Sequence, residues 1–175
     1  MPKQVIVQPS IEAIEIIDTP IPIPGDRQII IKVVVCGKNW PHNSGDDIAG
    51  IVHAVGKDVY EFKPGDRVAA MHESGKENGS YAEYSVASDW VTFHIPAHVS
   101  FEAAATVPIA GLTAAIALYA DMKIPAPWEV VEPATNKKAP ILIYGVTSAV
   151  GAFAAKLARL SGMAKRLLSQ ASRTF

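Results

Sequence analysis

Short runs of apolar and β-branched residues, broken by polar turns, dominate residues 1–100. Pro24-Gly25-Asp26 and Pro64-Gly65-Asp66 are turn sequences of the kind that separates strands. Many short strands at this spacing predict an irregular β-barrel or sandwich. The predicted strands are Gln4 to Gln8, Ile14 to Ile17, Gln28 to Cys36, Ile48 to Val55, Arg67 to Met71, Tyr81 to Ala87 and Val91 to His94.

The pattern becomes helical after residue 100. Ser100 is a predicted N-cap with Glu102 in the first turn of a short helix. The alanine-rich run Ala110 to Ala120 predicts a buried helix. The proline-rich segment Ile124 to Ala139, which contains Trp128, predicts a surface loop.

An apolar strand, a glycine turn and an apolar helix come next. Pro140 to Tyr144 predicts the strand and Gly151 to Leu160 predicts the helix. The turn between them is Gly145-Val146-Thr147-Ser148-Ala149-Val150-Gly151. Its first glycine permits a sharp turn and its last permits close packing of helix on strand, while the middle glycine of G-x-G-x-x-G is replaced. A helix N-terminus there would attract a pyrophosphate, with Thr147 and Ser148 contacting phosphate or capping the helix; the alternative is a plain strand-to-helix turn.

The C-terminal tail does not have the pattern of a buried strand. After Gly162 it is basic, with Lys165, Arg166 and Arg173, and it predicts a helix or a frayed end. A complete nucleotide-binding half needs a second parallel strand with a ribose-reading side chain near its end. We therefore give Arg173 little weight as a contact for a 2′-phosphate and expect an incomplete α/β layer with uncovered edges.

Composition narrows the classes of partner. The 175 residues are 49% hydrophobic and 19% charged, which is typical of a globular protein with a real core. Lys and Arg number 16 against 17 Asp and Glu, so no global field favours nucleic acid or an anionic membrane. No apolar run of signal length or of the roughly 20 residues needed to cross a bilayer is expected. The one cysteine excludes an internal disulfide, and a soluble, cytoplasmic protein is expected.

Zinc is disfavoured by the ligand count. A catalytic zinc needs about three fixed protein ligands and a structural zinc usually needs four. An improvised site made of Cys36, His42, Asp46 and Asp47 is the less favoured alternative, because turns often carry Asp to cap the backbone. The sequence therefore predicts no metal site.

Several motifs together resemble the medium-chain dehydrogenase/reductase superfamily. They are Gly45-Asp46-Asp47-Ile48-Ala49-Gly50-Ile51-Val52-His53-Ala54-Val55-Gly56, Phe62-Lys63-Pro64-Gly65-Asp66-Arg67-Val68, Gly79-Ser80-Tyr81-Ala82-Glu83-Tyr84 and Pro108-Ile109-Ala110-Gly111-Leu112-Thr113-Ala114-Ala115. Their order and spacing are similar to that family from near the N-terminus through Gly162. Cys36 matches the first cysteine of the zinc alcohol dehydrogenases, but their histidine is here Asp46. Within the superfamily the chain looks most like the zinc-free branch of quinone oxidoreductases and of fungal enoyl reductases that assist polyketide synthases in secondary metabolism.

The resemblance implies a fold and an activity. It implies an α+β to α/β chain, with a GroES-like irregular β-barrel over 1–100, connecting helices and a loop over 101–139, and the first βα unit of an incomplete Rossmann domain over 140–175. It implies NADPH-dependent hydride transfer, with NAD not excluded, to an enone, an enoyl group or a quinone. The implied partners are that small substrate and in some cases a polyketide synthase, without nucleic acid or membrane, in a monomer or homodimer.

The resemblance also implies site residues. Those near the cofactor are Cys36, Asn39, Trp40, Thr113, Gly145, Thr147, Ser148, Ala149, Val150 and Gly151. Those lining the substrate pocket are Leu112, Thr113, Ala114, Ala115, Ile116 and Tyr119. Packing in a helix core is the alternative for the second set, and Tyr119 is then a packing residue with a satisfied hydroxyl. The histidines His53, His72, His94 and His98 are scattered and are expected to be ordinary surface or strand residues.

Two departures from the family leave the activity open. The segment between Cys36 and Gly45 is shorter than in the family, which puts the mouth of the active site in doubt. The rest of the Rossmann sheet is not in this sequence, so the chain is expected to be truncated, or else a partner covers the exposed α/β surface. The alternative to an active reductase is a catalytically incompetent GroES-like module or interaction domain.

Overall fold

The structure is a computed structural model that describes residues 1–7, 14–36, 45–129, 141–163 and 167–170. The chain divides into two compact units, Met1–Ile109 and Ala110–Phe175.

Unit 1 is built mainly of antiparallel strands. Its strands are β1 (Lys3–Val7), β2 (Ile14–Asp18), β3 (Gln28–Cys36), β4 (Asp47–Val55), β5 (Arg67–Met71), β6 (Tyr84–Ser88) and β7 (Thr92–His94). β3 to β7 form a five-stranded sheet in the order β6-β3-β4-β5-β7, and β1 pairs with β2. Irregular registers between Ile30 and Ile31 and between Val33 and Val35 bend the long pair of β3 with β4.

The core of unit 1 lies on both faces of this sheet. One face is aliphatic, and its cluster contains Ile29, Ile31, Ile48, Val52, Val59, Phe62, Val68, Ala70 and Ala87. On the other face the small residues Ala49 and Ala69 leave room for helix α1 (Phe101–Ala104), which packs there together with Ile95. Ser100 caps α1 by accepting a hydrogen bond from the Ala103 N–H at 3.2 Å, as its sequence predicts.

The strand predictions agree closely with unit 1 except at one boundary. β3 and β5 have the predicted limits, whereas the strand predicted from Tyr81 begins only at Tyr84. Ala82 instead forms an isolated bridge with Gln4 of β1, and the Val5 N–H donates to the Tyr81 carbonyl at 2.7 Å. Tyr81 and Ala82 therefore contact β1, and β6 begins only after them.

Unit 2 combines helices with a short parallel sheet. Helix α2 (Pro108–Ala115) starts at the end of unit 1 and is followed by a π-helix (Ile116–Asp121). In the described part of the unit, strand β8 (Ile141–Tyr144), helix α3 (Ala149–Leu160) and strand β9 (Leu167–Gln170) follow. Its core contains Leu118, Ile124, Ile141, Ile143, Ala158 and Met163.

The structure corrects the prediction for the C-terminal tail. Residues Leu167–Gln170 form strand β9, which pairs in parallel with β8 in the register Ile141 to Leu167 through Tyr144 to Gln170. A β-α-β unit is therefore present where a helix or frayed end was predicted. The strand is only four residues long and follows the basic pair Lys165 and Arg166, so it has no local strand signal. Arg173 lies outside the described residues.

Two other predictions for unit 2 need correction. The run Ala110 to Ala120 is not fully buried: a stripe at Ala110, Ala114 and Leu118 is buried, while Thr113 and Ala117 are exposed. The spacing of four residues selects one helical face, so composition alone overstates burial. The predicted surface loop also starts inside the core, because Ile124 and Ala126 are buried.

One stretch is long and apolar enough to cross a membrane, contrary to the sequence expectation. It is Phe101–Asp121, 21 residues with a mean hydropathy of 1.7 in its best window, found among the described residues. A core helix of a soluble protein passes the same test, so this single stretch is weak evidence. It also holds α1, a turn, α2 and the π-helix rather than one continuous α-helix.

Candidate cofactor-binding turn

A tight turn joins β8 to α3 and has the backbone conformation that its glycines allow. Gly145 has a φ of 76°, a left-handed value that favours glycine. The Ser148 N–H donates to the Gly145 carbonyl at 2.9 Å, which closes the turn. Ser148 is extended, with φ −75° and ψ 160°, and its Oγ accepts from the Gly151 N–H at 3.1 Å. Ser148 is therefore the N-cap of α3.

Gly151 allows the helix to lie against the turn. A Cβ at this position would lie 2.2 Å from the Gly145 carbonyl oxygen and 2.9 Å from Val146 Cα. No side chain fits at that distance from fixed backbone atoms. The glycine therefore brings the first turn of α3 against the backbone of the strand end.

The exposed side of this turn fits a phosphate-bearing ligand. Thr147, Ser148 and Ala149 are exposed, and the first-turn N–H groups of Ala149 and Val150 have no partner within the helix. The helix dipole adds a partial positive charge at the same end. Backbone donors, a nearby hydroxyl and close backbone approach are the features with which strand-turn-helix units hold a pyrophosphate.

The other predicted cofactor residues lie apart from this turn in the sequence, and part of them falls outside the described residues. Cys36 is the last residue of β3, and nothing is described of its side chain. Asn39 and Trp40 lie outside the described residues, as does His42. Thr113 is described and exposed on helix α2.

The predicted substrate residues differ in exposure along α2 and the π-helix. Ile116 is 48% exposed, and Leu112 and Ala115 are half-buried. Ala114 is fully buried, so its side chain packs in the interior and is not available to a ligand.

Tyr119 has the packing role that the sequence left as an alternative. Its hydroxyl donates to the Leu157 carbonyl at 3.4 Å and lies 3.1 Å from Ser161 Oγ, which donates to it. Its ring meets Trp128 edge to face, with centroids 5.5 Å apart. These contacts tie the π-helix to α3 within unit 2 and satisfy the hydroxyl.

Asp47 has a structural role that the sequence assigned only in general terms. Its Oδ1 accepts a hydrogen bond from the Ile109 N–H in the first turn of α2 at 2.8 Å. Burial raises the pKa of Asp47, the Ile109 N–H lowers it in part, and the neighbouring Asp46 raises it. Among the described residues no group of three or more His, Cys, Asp or Glu side chains could hold a metal ion.

The histidine expectation is wrong at one position. His72 is 3% exposed, and both of its ring nitrogens face main-chain carbonyl oxygens. A lone histidine at the end of a strand carries no sequence signal for burial, because the contacts that enclose it come from residues 76 and 86.

Comparison with known proteins identifies the family. Residues 2–97 match the family model described as the alcohol dehydrogenase GroES-like domain. The chain belongs to this family, within the medium-chain dehydrogenase/reductase superfamily. The resemblance and the fold class predicted from the motifs are thereby confirmed.

Named relatives place the chain near two kinds of reductase. It is 42% identical over 163 residues to the trans-enoyl reductase fsr4 of Gibberella fujikuroi, covering 86% of this chain and 48% of the relative. It is 35% identical over 162 residues to a quinone oxidoreductase of Sus scrofa, covering 83% and 45%. The crystal structure of the CurK enoyl reductase has the same fold, with a TM-score of 0.78 at 20% identity, covering 98% of this chain and 54% of the other. The chain spans about half the length of the curated relatives that it matches.

Proposed function

We propose that this protein is a nicotinamide-dependent oxidoreductase that reduces an activated C=C bond of an enone or enoyl group, or a quinone, using NADPH and no zinc. The observation that carries the proposal is the β8–α3 turn, where Gly145 and Gly151 permit close backbone approach and the α3 N-terminus is exposed. The printed names of the relatives support the reductase class.

The proposed role of the turn is to bind and orient the cofactor. The N–H groups of Ala149 and Val150 would hold the pyrophosphate, with the Thr147 hydroxyl beside it. Ser148 keeps its Oγ on the Gly151 N–H and so fixes the direction of the first helical turn. The cofactor would supply the hydride, and the exposed Thr113 and Ile116 would orient the reactants near it.

Zinc independence rests on the donor set. The family's zinc-binding histidine is replaced by Asp46, and the Asp47 carboxylate accepts a hydrogen bond from the Ile109 N–H. A carboxylate that already accepts a hydrogen bond from a helix N-terminus is a poor candidate for one of the three protein ligands that a catalytic zinc needs. We expect elemental analysis of the purified protein to find far less than one zinc per chain; stoichiometric zinc would contradict this part of the proposal.

The further expectations from the family belong to the same proposal. The substrate would be a small enone, enoyl compound or quinone, in some cases presented by a polyketide synthase. The protein would be cytoplasmic and a monomer or a homodimer, without affinity for nucleic acid, because its charges nearly balance.

A titration with NADPH tests the proposal. Cofactor fluorescence and the melting temperature should both report saturable binding, because a ligand that binds only the native state stabilises it. Ser148→Asp separates helix capping from phosphate binding, because its carboxylate preserves the N-cap but repels a pyrophosphate. We expect S148D to melt close to wild type and to bind NADPH at least about tenfold more weakly. Equal affinity of S148D and wild type would contradict binding at this turn.

A second candidate is an interaction module without catalysis. The observation that favours it is the exposed apolar face of β8, where Leu142 is 68% and Tyr144 is 69% exposed. Absence of NADPH binding up to millimolar concentration, with the protein folded, would favour this module over the reductase.

A further inference from the structure

His72 occupies a position that the proposed reductase chemistry does not use. It follows β5 directly, and its N–H donates to the Asp46 carbonyl at 2.7 Å. Its ring is buried between β6 and a loop formed by residues 73–79. Nδ1 lies 2.8 Å from the Val86 carbonyl oxygen, and Nε2 lies 3.1 Å from the Lys76 carbonyl oxygen.

The two carbonyl oxygens limit which protonation state of the ring can form both hydrogen bonds. A carbonyl oxygen accepts hydrogen bonds and cannot donate one. A neutral imidazole has one N–H donor and one lone pair, so it can serve only one of the two oxygens. The imidazolium has two N–H donors and serves both. With the neutral ring, a nitrogen lone pair and a carbonyl oxygen would face each other in a buried site, which is unfavourable.

The geometry points to His72 as a proton-dependent latch, meaning a contact that holds the 73–79 loop against β6. The doubly protonated ring donates hydrogen bonds to both carbonyl oxygens. The neutral ring donates only one, and the hydrogen bond to the Lys76 carbonyl is lost. The neutral ring keeps one of the two hydrogen bonds, and we assign the remaining proton to Nδ1, whose contact with Val86 is the shorter. The longer contact, to Lys76, is therefore the one that is lost.

Loss of the His72–Lys76 hydrogen bond frees only the middle of the 73–79 loop. Its far end is held independently of protonation, because the Asn78 carbonyl accepts from the Val86 N–H at 3.1 Å and from Ser85 Oγ at 2.9 Å. Asn78 itself has a φ of 65°, a left-handed value that a non-glycine residue adopts at some cost. Within the loop, the Lys76 N–H donates to the Glu73 carbonyl at 3.1 Å. The His72–Lys76 contact therefore joins the middle of the loop to the sheet.

The charged surroundings of the ring are mixed. Glu73, Lys76 and Glu77 line the groove beside it and are exposed, with Lys76 Nζ 3.9 Å from Glu73 Oε1. Asp46 meets the residue through its carbonyl only in the described contacts. The remaining lining residues from β3 and β6 do not titrate; they are Gln28, Val86, Ala87 and Ser88. All three charged side chains are exposed, so solvent screens their fields at the ring.

Two measurements on the wild-type protein test the latch together, from about pH 5 to about pH 8, across the range where histidine titrates. Ring ¹⁵N shifts report the protonation of His72, and amide hydrogen exchange, corrected for the intrinsic pH dependence, reports the loop. We expect both ring nitrogens to be protonated at the acid end. As the ring loses a proton, protection of the amides at residues 74–77 should fall by about tenfold, the effect of one lost hydrogen bond to a charged donor. A ring that stays neutral throughout, or loop protection that does not follow the ring, would overturn the proposal.

Matched histidine variants make the assignment specific. His72→Gln cannot change its donors with pH, so the pH dependence of loop protection should disappear. His94→Gln is the control, because His94 is exposed and has a single carbonyl contact, at 3.3 Å to Glu61. H94Q should keep the wild-type pH dependence. If H72Q does not fold, the wild-type titration alone decides; if it folds and its loop still responds to pH, the latch is excluded.

Discussion

Gly151 lies where the first turn of α3 passes over the backbone of Gly145, so a single methyl group decides whether that approach is possible. A Cβ there would be 2.2 Å from the Gly145 oxygen and 2.8 Å from its carbonyl carbon. Alanine would also improve helix propensity, by about 1 kcal/mol. The overlap with backbone costs more, because neither the turn nor the helix can move without breaking the Ser148 cap.

We predict that Gly151→Ala lowers the free energy of unfolding by about 1–3 kcal/mol and weakens NADPH binding. Urea denaturation and the fluorescence titration measure the two effects. Gly162→Ala is the control: its φ is 72°, but a Cβ there meets nothing within 4 Å. G162A should show only the backbone cost and normal cofactor affinity. A G151A protein as stable as wild type would contradict the close approach.

The pKa of Asp47 links one side chain to the pH dependence of stability. Burial raises this pKa in the folded state, so the folded protein binds a proton more readily than the unfolded chain. The contribution to stability is fully present below the unfolded-state pKa. It is lost as the pH rises through the raised folded-state pKa, and at neutral pH the ionised carboxylate carries the cost of its burial.

We predict that Asp47→Asn is at least as stable as wild type at pH 7, because an amide oxygen accepts from the Ile109 N–H without a charge at this half-buried position. Asp47→Ala should be less stable by about 1 kcal/mol, since that N–H loses its acceptor. Urea denaturation at several pH values measures both. The wild-type gain towards acid pH should shrink in D47N and remain in Asp121→Asn, an exposed control. A destabilised D47N would contradict the account.

For the elements, local sequence signals predicted the strands of unit 1 because turn sequences separate them and because the central strands β3, β4, β5 and β6 each bury side chains. The limits of β3 and β5 follow directly from that pattern. β9 was not predicted because it is short and because it forms by pairing with β8, which lies more than twenty residues earlier in the chain. The π-helix likewise followed no local signal; its Tyr119 is held by Leu157 and Ser161 of a later element.

Two substitutions test whether Ser148 caps helix α3. We predict that Ser148→Ala lowers the free energy of unfolding by about 1 kcal/mol, because the Gly151 N–H loses its acceptor. Thr147→Ala, one residue earlier and exposed, should change stability by less than about 0.5 kcal/mol. Thermal melts of both variants measure this. Equal effects of the two substitutions would show that Ser148 does not cap the helix.

For the whole molecule, each unit has a core of its own, and the two cores differ in extent. The clusters of unit 1 use residues from 29 to 105, on both faces of a five-stranded sheet. In its described residues, unit 2 has a two-stranded sheet and leaves Leu142, Tyr144 and Leu160 largely exposed. Small units with a two-stranded sheet bury too little surface to be stable alone.

We predict that the fragment 1–109 folds cooperatively by itself, with a circular dichroism spectrum dominated by β-structure. The fragment 110–175 should show weak, non-cooperative melting. Dispersion of amide signals in NMR spectra provides an independent check. A fragment 1–109 without dispersed signals would show that the core of unit 1 depends on residues beyond 109.

The family, the strand order along the chain and the glycine turn could all be predicted from the amino-acid sequence, since each depends on residues that are neighbours in the chain or on motifs with fixed spacing. It also supplied Ser148 as a cap, because a hydroxyl residue before an apolar helix has that local use. Tertiary structure alone decided that Asp47 serves the Ile109 N–H, that β9 pairs with β8, and that His72 is buried between two carbonyl groups. These features depend on partners distant in sequence, or on the path of a loop, and hydrophobic patterning carries no information about which backbone groups will meet.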